Sequence, residues 1–77
     1  MPDSMHPRRF LWSARRDGDV RDLYLARTPQ GWEIQIVNNH CLGAAMTFTE
    51  KADAYAEAAR WRMSSVKDGW EVTEPAN

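Results

Sequence analysis

Apolar residues recur at two different periods along this chain. Over residues 8–48 they alternate with polar ones in four short runs, separated by turn-forming residues. Over residues 49–67 they return every third or fourth position. The first pattern predicts β-strands with one buried face, and the second an amphipathic helix.

The run 8–16 ends at Asp17-Gly18, a strong hairpin signal because both positions accept positive φ. Residues 20–27 form the return strand. A two-residue loop sets Trp12 opposite Leu23 and Phe10 opposite Leu25 on one face. Leu11, Ser13 and Arg15 then share the other face with Val20, Asp22 and Tyr24. Thr28-Pro29-Gln30-Gly31 is a turn, since proline presets φ at its second position and glycine closes it. Residues 32–37 alternate cleanly. A four-residue loop places Ile34 and Ile36 with Leu25 and Leu23, whereas a three-residue loop with a bulge places them with Tyr24 and Ala26. The first gives one continuous core face and is preferred. Asn38-Asn39-His40 is a third turn, asparagine being tolerant of the left-handed region. Residues 41–48 form a strand of small side chains, with Leu42, Ala44, Met46 and Phe48 inward and Gly43 and Ala45 outward.

In the helical stretch, Ala52, Tyr55, Ala56, Ala59, Met63 and Val66 form one stripe, with Glu50, Lys51, Glu57, Arg60 and Lys67 largely off it. The stretch is rich in alanine, which loses no side-chain entropy in a helix. Thr49 is the expected N-cap, and Thr47 with Glu50 offers a capping box two residues earlier. Gly69 can take the left-handed conformation that stops a helix, letting Trp70 fold back onto the last turn. Such a helix is about 28 Å long and needs a broad apolar surface beneath it. The pattern predicts an α+β domain: a four-stranded antiparallel β-meander followed by one C-terminal α-helix packed on one sheet face, in the order β-β-β-β-α. The domain spans residues 8–70, with a flexible arm at 1–7 and a frayed acidic tail at 71–77.

Composition narrows the possible roles. At 77 residues the core is thin, and small domains of this kind gain stability by dimerising. The single cysteine, Cys41, excludes an internal disulfide and a cysteine-based zinc cluster. Its plain reading is a half-buried free thiol in a reducing, cytoplasmic setting. The opening MPDSMHPRR lacks the apolar run of a signal peptide, and no stretch suits a membrane span. The net charge is −1. Residues 1–30 carry six arginines against four aspartates, while residues 31–77 carry four bases against seven acids. Neither half is a basic tract that would grip duplex DNA through phosphates alone.

Candidate chemistry is sparse. His40 and Cys41 are adjacent, so in a strand they point oppositely and do not form a nucleophilic dyad. Asp17, Asp19 and Asp22 lack the later bidentate acid of a calcium loop and read as the polar tip of a hairpin. No glycine-rich phosphate loop is present. Neither an enzyme, a cofactor nor a metal site is expected.

Two functional expectations remain. The first is a non-catalytic protein-binding module, homodimeric through the uncovered sheet face or the small fourth strand. Leu11, Tyr24 and Val37 would form its contact patch on that face, and Trp61, flanked by Arg60 and Arg62, a second anchor. The plain alternatives are a half-apolar wet face and a tryptophan on the rim of the core. Compact arginine-rich chains of this size are common among bacterial and prophage accessory proteins, including inhibitors of host defence such as anti-CRISPR proteins. That placement rests on size, with no motif matched to any such family. The second expectation is single-stranded nucleic-acid binding. The element order resembles the four-strand-plus-helix unit of the Pur-alpha, Whirly and transcriptional positive-cofactor-four folds. That resemblance implies exposed strand aromatics for base stacking and basic residues for phosphates. Here the implied residues are Arg9, Arg15, Arg21 and Arg27 with Tyr24.

Overall fold

The computed structural model describes residues 8–75. Four strands, β1 (Arg8–Arg16), β2 (Asp19–Thr28), β3 (Gly31–Asn38) and β4 (Cys41–Phe48), form an antiparallel meander. A helix, α1 (Lys51–Lys67), follows and packs on one face, and a short strand, β5 (Glu71–Thr73), ends the order. The sheet runs β4-β3-β2-β1-β5. The expected β-meander with a C-terminal helix is therefore the architecture.

Local chemistry sets the turns. Asp17 and Gly18 take φ of 51° and 86° between β1 and β2, and Asn39 and His40 take 52° and 69° between β3 and β4. Both are two-residue turns with positive φ, whose twist matches that of the flanking strands. Asn39 also ties its turn to the first hairpin: its side-chain oxygen accepts from the Val20 backbone N–H at 2.8 Å. Thr28 pairs with Gly31, placing Ile34 opposite Leu25 and Ile36 opposite Leu23, the preferred register. Gly31 is required sterically, because a Cβ there would lie 2.4 Å from the Phe48 carbonyl oxygen.

The buried core is Trp12, Ala14, Leu23, Leu25, Ile34 and Ile36 from the sheet, closed by Ala54 and Ala58 of the helix. The Trp12 indole N–H donates to the Ala58 carbonyl at 3.3 Å, which satisfies the one polar atom of this buried ring. Small residues at 54 and 58 let the helix backbone come close enough for that bond.

Two strands break the expected alternation. The β1–β2 register shifts between Phe10 and Trp12, so Phe10 pairs with Tyr24 and not with Leu25. Leu11 is the extra residue of this bulge. Phe10 is thereby turned onto the uncovered face, and Leu11 packs on the helix side beside Trp12, Tyr55 and Ala58. The β3–β4 register shifts likewise between Ile36 and Val37, with Gly43 as the extra residue. Leu42 consequently joins Val37 on the uncovered face, 64% exposed, where an inward position was expected.

The helix is rotated from its expected setting. Its inner stripe is Ala54, Ala58, Trp61 and Ser65, spaced four, three and four apart. Ala52, Ala56, Ala59, Met63 and Val66, expected to be buried, are exposed, and only Tyr55 of that stripe is half-buried. The helix begins at Lys51 with Glu50 at the N-cap position and no side-chain cap, so neither Thr49 nor Thr47 caps it. Its end matches the sequence reading. Gly69, at φ 89°, donates to the Val66 carbonyl, and the Trp70 N–H donates to the Ser65 carbonyl at 2.9 Å. These two bonds are a Schellman motif.

The expected frayed tail is corrected over residues 71–73, and residues 76–77 lie outside the described residues. Residues 71–73 pair with β1 at Ser13, Ala14 and Arg15, so β1 is an interior strand. The Schellman turn reverses the chain at Gly69, and Val72 then packs against the core. Cys41 is exposed where a half-buried thiol was expected. The arm at 1–7 lies outside the described residues.

Candidate interaction surfaces

Three surfaces are candidates: the sheet face away from α1, the free edge at β4 and the outer side of the helix. The uncovered face carries Phe10 and Tyr24 at its centre, with ring centroids 5.7 Å apart. The Arg8 guanidinium lies 3.9 Å from the Tyr24 ring centroid and donates to Gln35 Oε1 at 3.0 Å. Gln35 in turn donates to Glu33 Oε1 at 2.9 Å. Long polar side chains of this chain therefore lie across much of the face. Val37 and Leu42 extend its apolar part toward the free edge.

That edge is β4. All eight of its residues are uncharged, none is proline, and six of the eight are exposed. The opposite edge ends in the three-residue β5, which carries Glu71. Along β4, Met46 and Phe48 lie half-buried on the helix side, paired with Ile34 and Trp32. Leu42 lies on the other side. Unpaired among the described residues, an edge of this composition offers backbone donors and acceptors with none of the charges or prolines that usually guard one.

The aromatic residues of the helix face inward. Trp61 is half-buried, its indole N–H donates to Glu57 Oε2 at 3.1 Å, and Arg21 approaches its ring to 5.7 Å. Arg21 also stacks on Trp70 at 4.4 Å and donates to Ser65 Oγ at 3.1 Å. At the opposite end of the helix Arg9 donates to the Tyr55 hydroxyl at 3.4 Å, and Arg27 and Lys51 lie 5.2 and 5.0 Å from the Trp32 ring. Arg60 pairs with Glu57, and Arg62 with Glu74 beyond β5.

The six residues expected to contact a partner are thus divided among three places. Tyr24 and Val37 share the uncovered face, Leu11 packs beside the helix, and Trp61 turns toward the sheet between the exposed Arg60 and the half-buried Arg62. Of the residues implied for nucleic acid, Arg9, Arg21 and Arg27 make contacts on the helix-covered side, which leaves Arg15 and Tyr24 on the open face. Sequence reasoning did not anticipate the large exposed hydrophobics Leu42, Met63 and Val66. A lone glycine inside the fourth strand was an available sign of the bulge that exposes Leu42.

Among the described residues no group of three histidine, cysteine or acidic side chains is placed to hold a metal ion. None of their helices is long and apolar enough to cross a membrane. No protein-family model, curated protein or solved structure matches this chain.

Proposed function

We propose that this protein is a small non-catalytic binding module that occupies a partner protein's surface by accepting an extended segment of that partner along β4. The carrying observation is the eight-residue free edge without charge or proline. Strand addition draws affinity from main-chain hydrogen bonds and specificity from alternate side chains. On the helix side, apolar partner side chains would meet Met46 and Phe48, and on the other side Leu42 and Val37. The preferred segment alternates apolar residues and carries no proline. A role of this kind suits an accessory or inhibitory protein, such as an inhibitor of host defence. The exposed lone thiol of Cys41 suits a reducing cytoplasm. The test is selection of binders from a random-peptide library. Lysine at Ala45 or Thr47, both exposed, should abolish binding of the selected peptides and leave the circular dichroism and melting temperature unchanged. Peptides that bind these variants as well as the parent would sink the proposal.

A second reading, single-stranded nucleic-acid binding, is favoured by the adjacent Phe10 and Tyr24 rings with Arg8 above them. It is weaker because Asp22 and Glu33 share that face and three of its arginines are engaged elsewhere. Charge-driven affinity is greatest at low salt, so absence of binding to a labelled oligonucleotide there, at about 10 µM protein, would remove this reading.

A further inference from the structure

The outer side of α1 carries a second apolar stripe. Ala52, Ala56, Ala59, Met63 and Val66 are spaced four, three, four and three residues apart, and all five are exposed. Met63 is 68% and Val66 53% exposed. The mean spacing is that of a coiled-coil seam, which keeps one face against a partner helix over several turns. The inner stripe already serves the sheet, so the helix is apolar on two opposite sides, and no part of the described chain covers the outer one. We propose that this face seats the same helix of a second copy, packed antiparallel.

Charge selects both occupant and direction. The first half of the helix region carries Glu50, Asp53 and Glu57 against Lys51, and the second half carries Arg60, Arg62 and Lys67 against Asp68. An antiparallel copy sets each acidic half against a basic half, whereas a parallel copy sets like against like. The helix dipoles favour the same direction. Asp53 and Lys67 each follow a stripe residue and so flank the seam on one side, bringing Asp53 of one copy near Lys67 of the other. The stripe is complementary in size as well: with Ala59 opposite Met63 of the second copy, Ala56 falls opposite Val66, so each large side chain meets a small one. Arg60 lies near the two-fold axis, where its pairing with Glu57 of its own helix offsets repulsion from its counterpart. The seam shares no residue with β4, so partner binding and self-association are independent.

A single helix pair buries less than the roughly 1,200 Å² of a standard stable interface, so association is expected in the micromolar range. Sedimentation velocity of the full chain from about 1 to 200 µM reads it directly. The parent should pass from monomer to dimer. Met63→Glu should weaken association at least about tenfold while leaving the circular dichroism unchanged. Asp53→Lys should weaken it too, and the double variant Asp53→Lys/Lys67→Asp should restore it, because the pair is re-formed across the antiparallel seam. A chain that stays monomeric throughout, or a dimer indifferent to Met63→Glu, overturns the proposal. Failure of the double variant to recover overturns the antiparallel arrangement.

Discussion

Arg21 sets its guanidinium 4.4 Å from the centre of the Trp70 ring, joining β2 to the residue just beyond the helix stop. The same guanidinium donates to Ser65 Oγ, whose hydroxyl donates to the Trp61 carbonyl at 2.8 Å. Ser65 is the buried polar residue of the core, 1% exposed, and Arg21 with Trp61 satisfies its hydroxyl on both sides. The planar cation thus holds the C-terminal end of α1 and the reversal into β5 against the sheet.

Loss of that clamp is the first prediction. Arg21→Ala should destabilise the fold by about 2 kcal/mol, from the stacking and the charge-assisted hydrogen bond together. Arg21→Lys should recover less than half of this, since an ammonium keeps the charge but not the planar stack. Urea unfolding followed by tryptophan fluorescence measures both, and a midpoint unchanged in Arg21→Ala would show that the contact is incidental.

Most of the strand order was legible because the turns announced themselves. Asp17-Gly18, Pro29 with Gly31, and Asn39 mark the three connections, while the second hairpin was open to two registers, of which the one with a continuous core face is found. The two bulges were not legible, because one extra residue in a strand leaves composition unchanged while reversing every side chain beyond it. Phe10 and Leu42 moved for that reason. The helix face was misread for a different one. An alanine-rich helix has apolar residues on both sides, and in the sequence pattern the larger Met63 and Val66 outweigh Ser65. Two features favour the true face: the close approach required by the Trp12–Ala58 hydrogen bond, and the hydroxyl at 65 that meets Arg21. Both are tertiary, and neither can be read from α1 by itself. The candidate surface was less legible than the fold, since edge position, bulges and helix rotation decide which residues remain exposed.

The rotation of the helix separates Trp61 from Met63. Trp61→Ala removes a half-buried ring packed against the core and should cost about 2 to 3 kcal/mol, less than a fully buried tryptophan. Met63→Ala, on the outer side, should change the stability of the monomer by no more than about 0.5 kcal/mol. Thermal unfolding at low micromolar concentration distinguishes them. A larger cost for Met63→Ala than for Trp61→Ala would mean that the helix packs with the other face inward.

The bulge at Gly43 gives the last prediction. Without that residue Cys41, Leu42 and Ala44 would alternate regularly against Asn38, Val37 and Ile36, the partners they already have. Deleting Gly43 should therefore preserve the fold, because no core side chain changes sides. It should also straighten the edge, since a bulge bends its strand and increases the local twist. The bent, uncharged eight-residue edge would become a straight seven-residue one with uninterrupted alternation, better matched to a copy of itself. The expected outcome is a native-like circular dichroism spectrum together with concentration-dependent association beyond the dimer. Light scattering detects that association, and lysine at Thr47 should suppress it, since a charge on the edge opposes pairing. If the deletion variant is unfolded, the bulge is needed to seat β4 against β3. If it folds and scatters no more than the parent, the bend at Gly43 does not guard the edge.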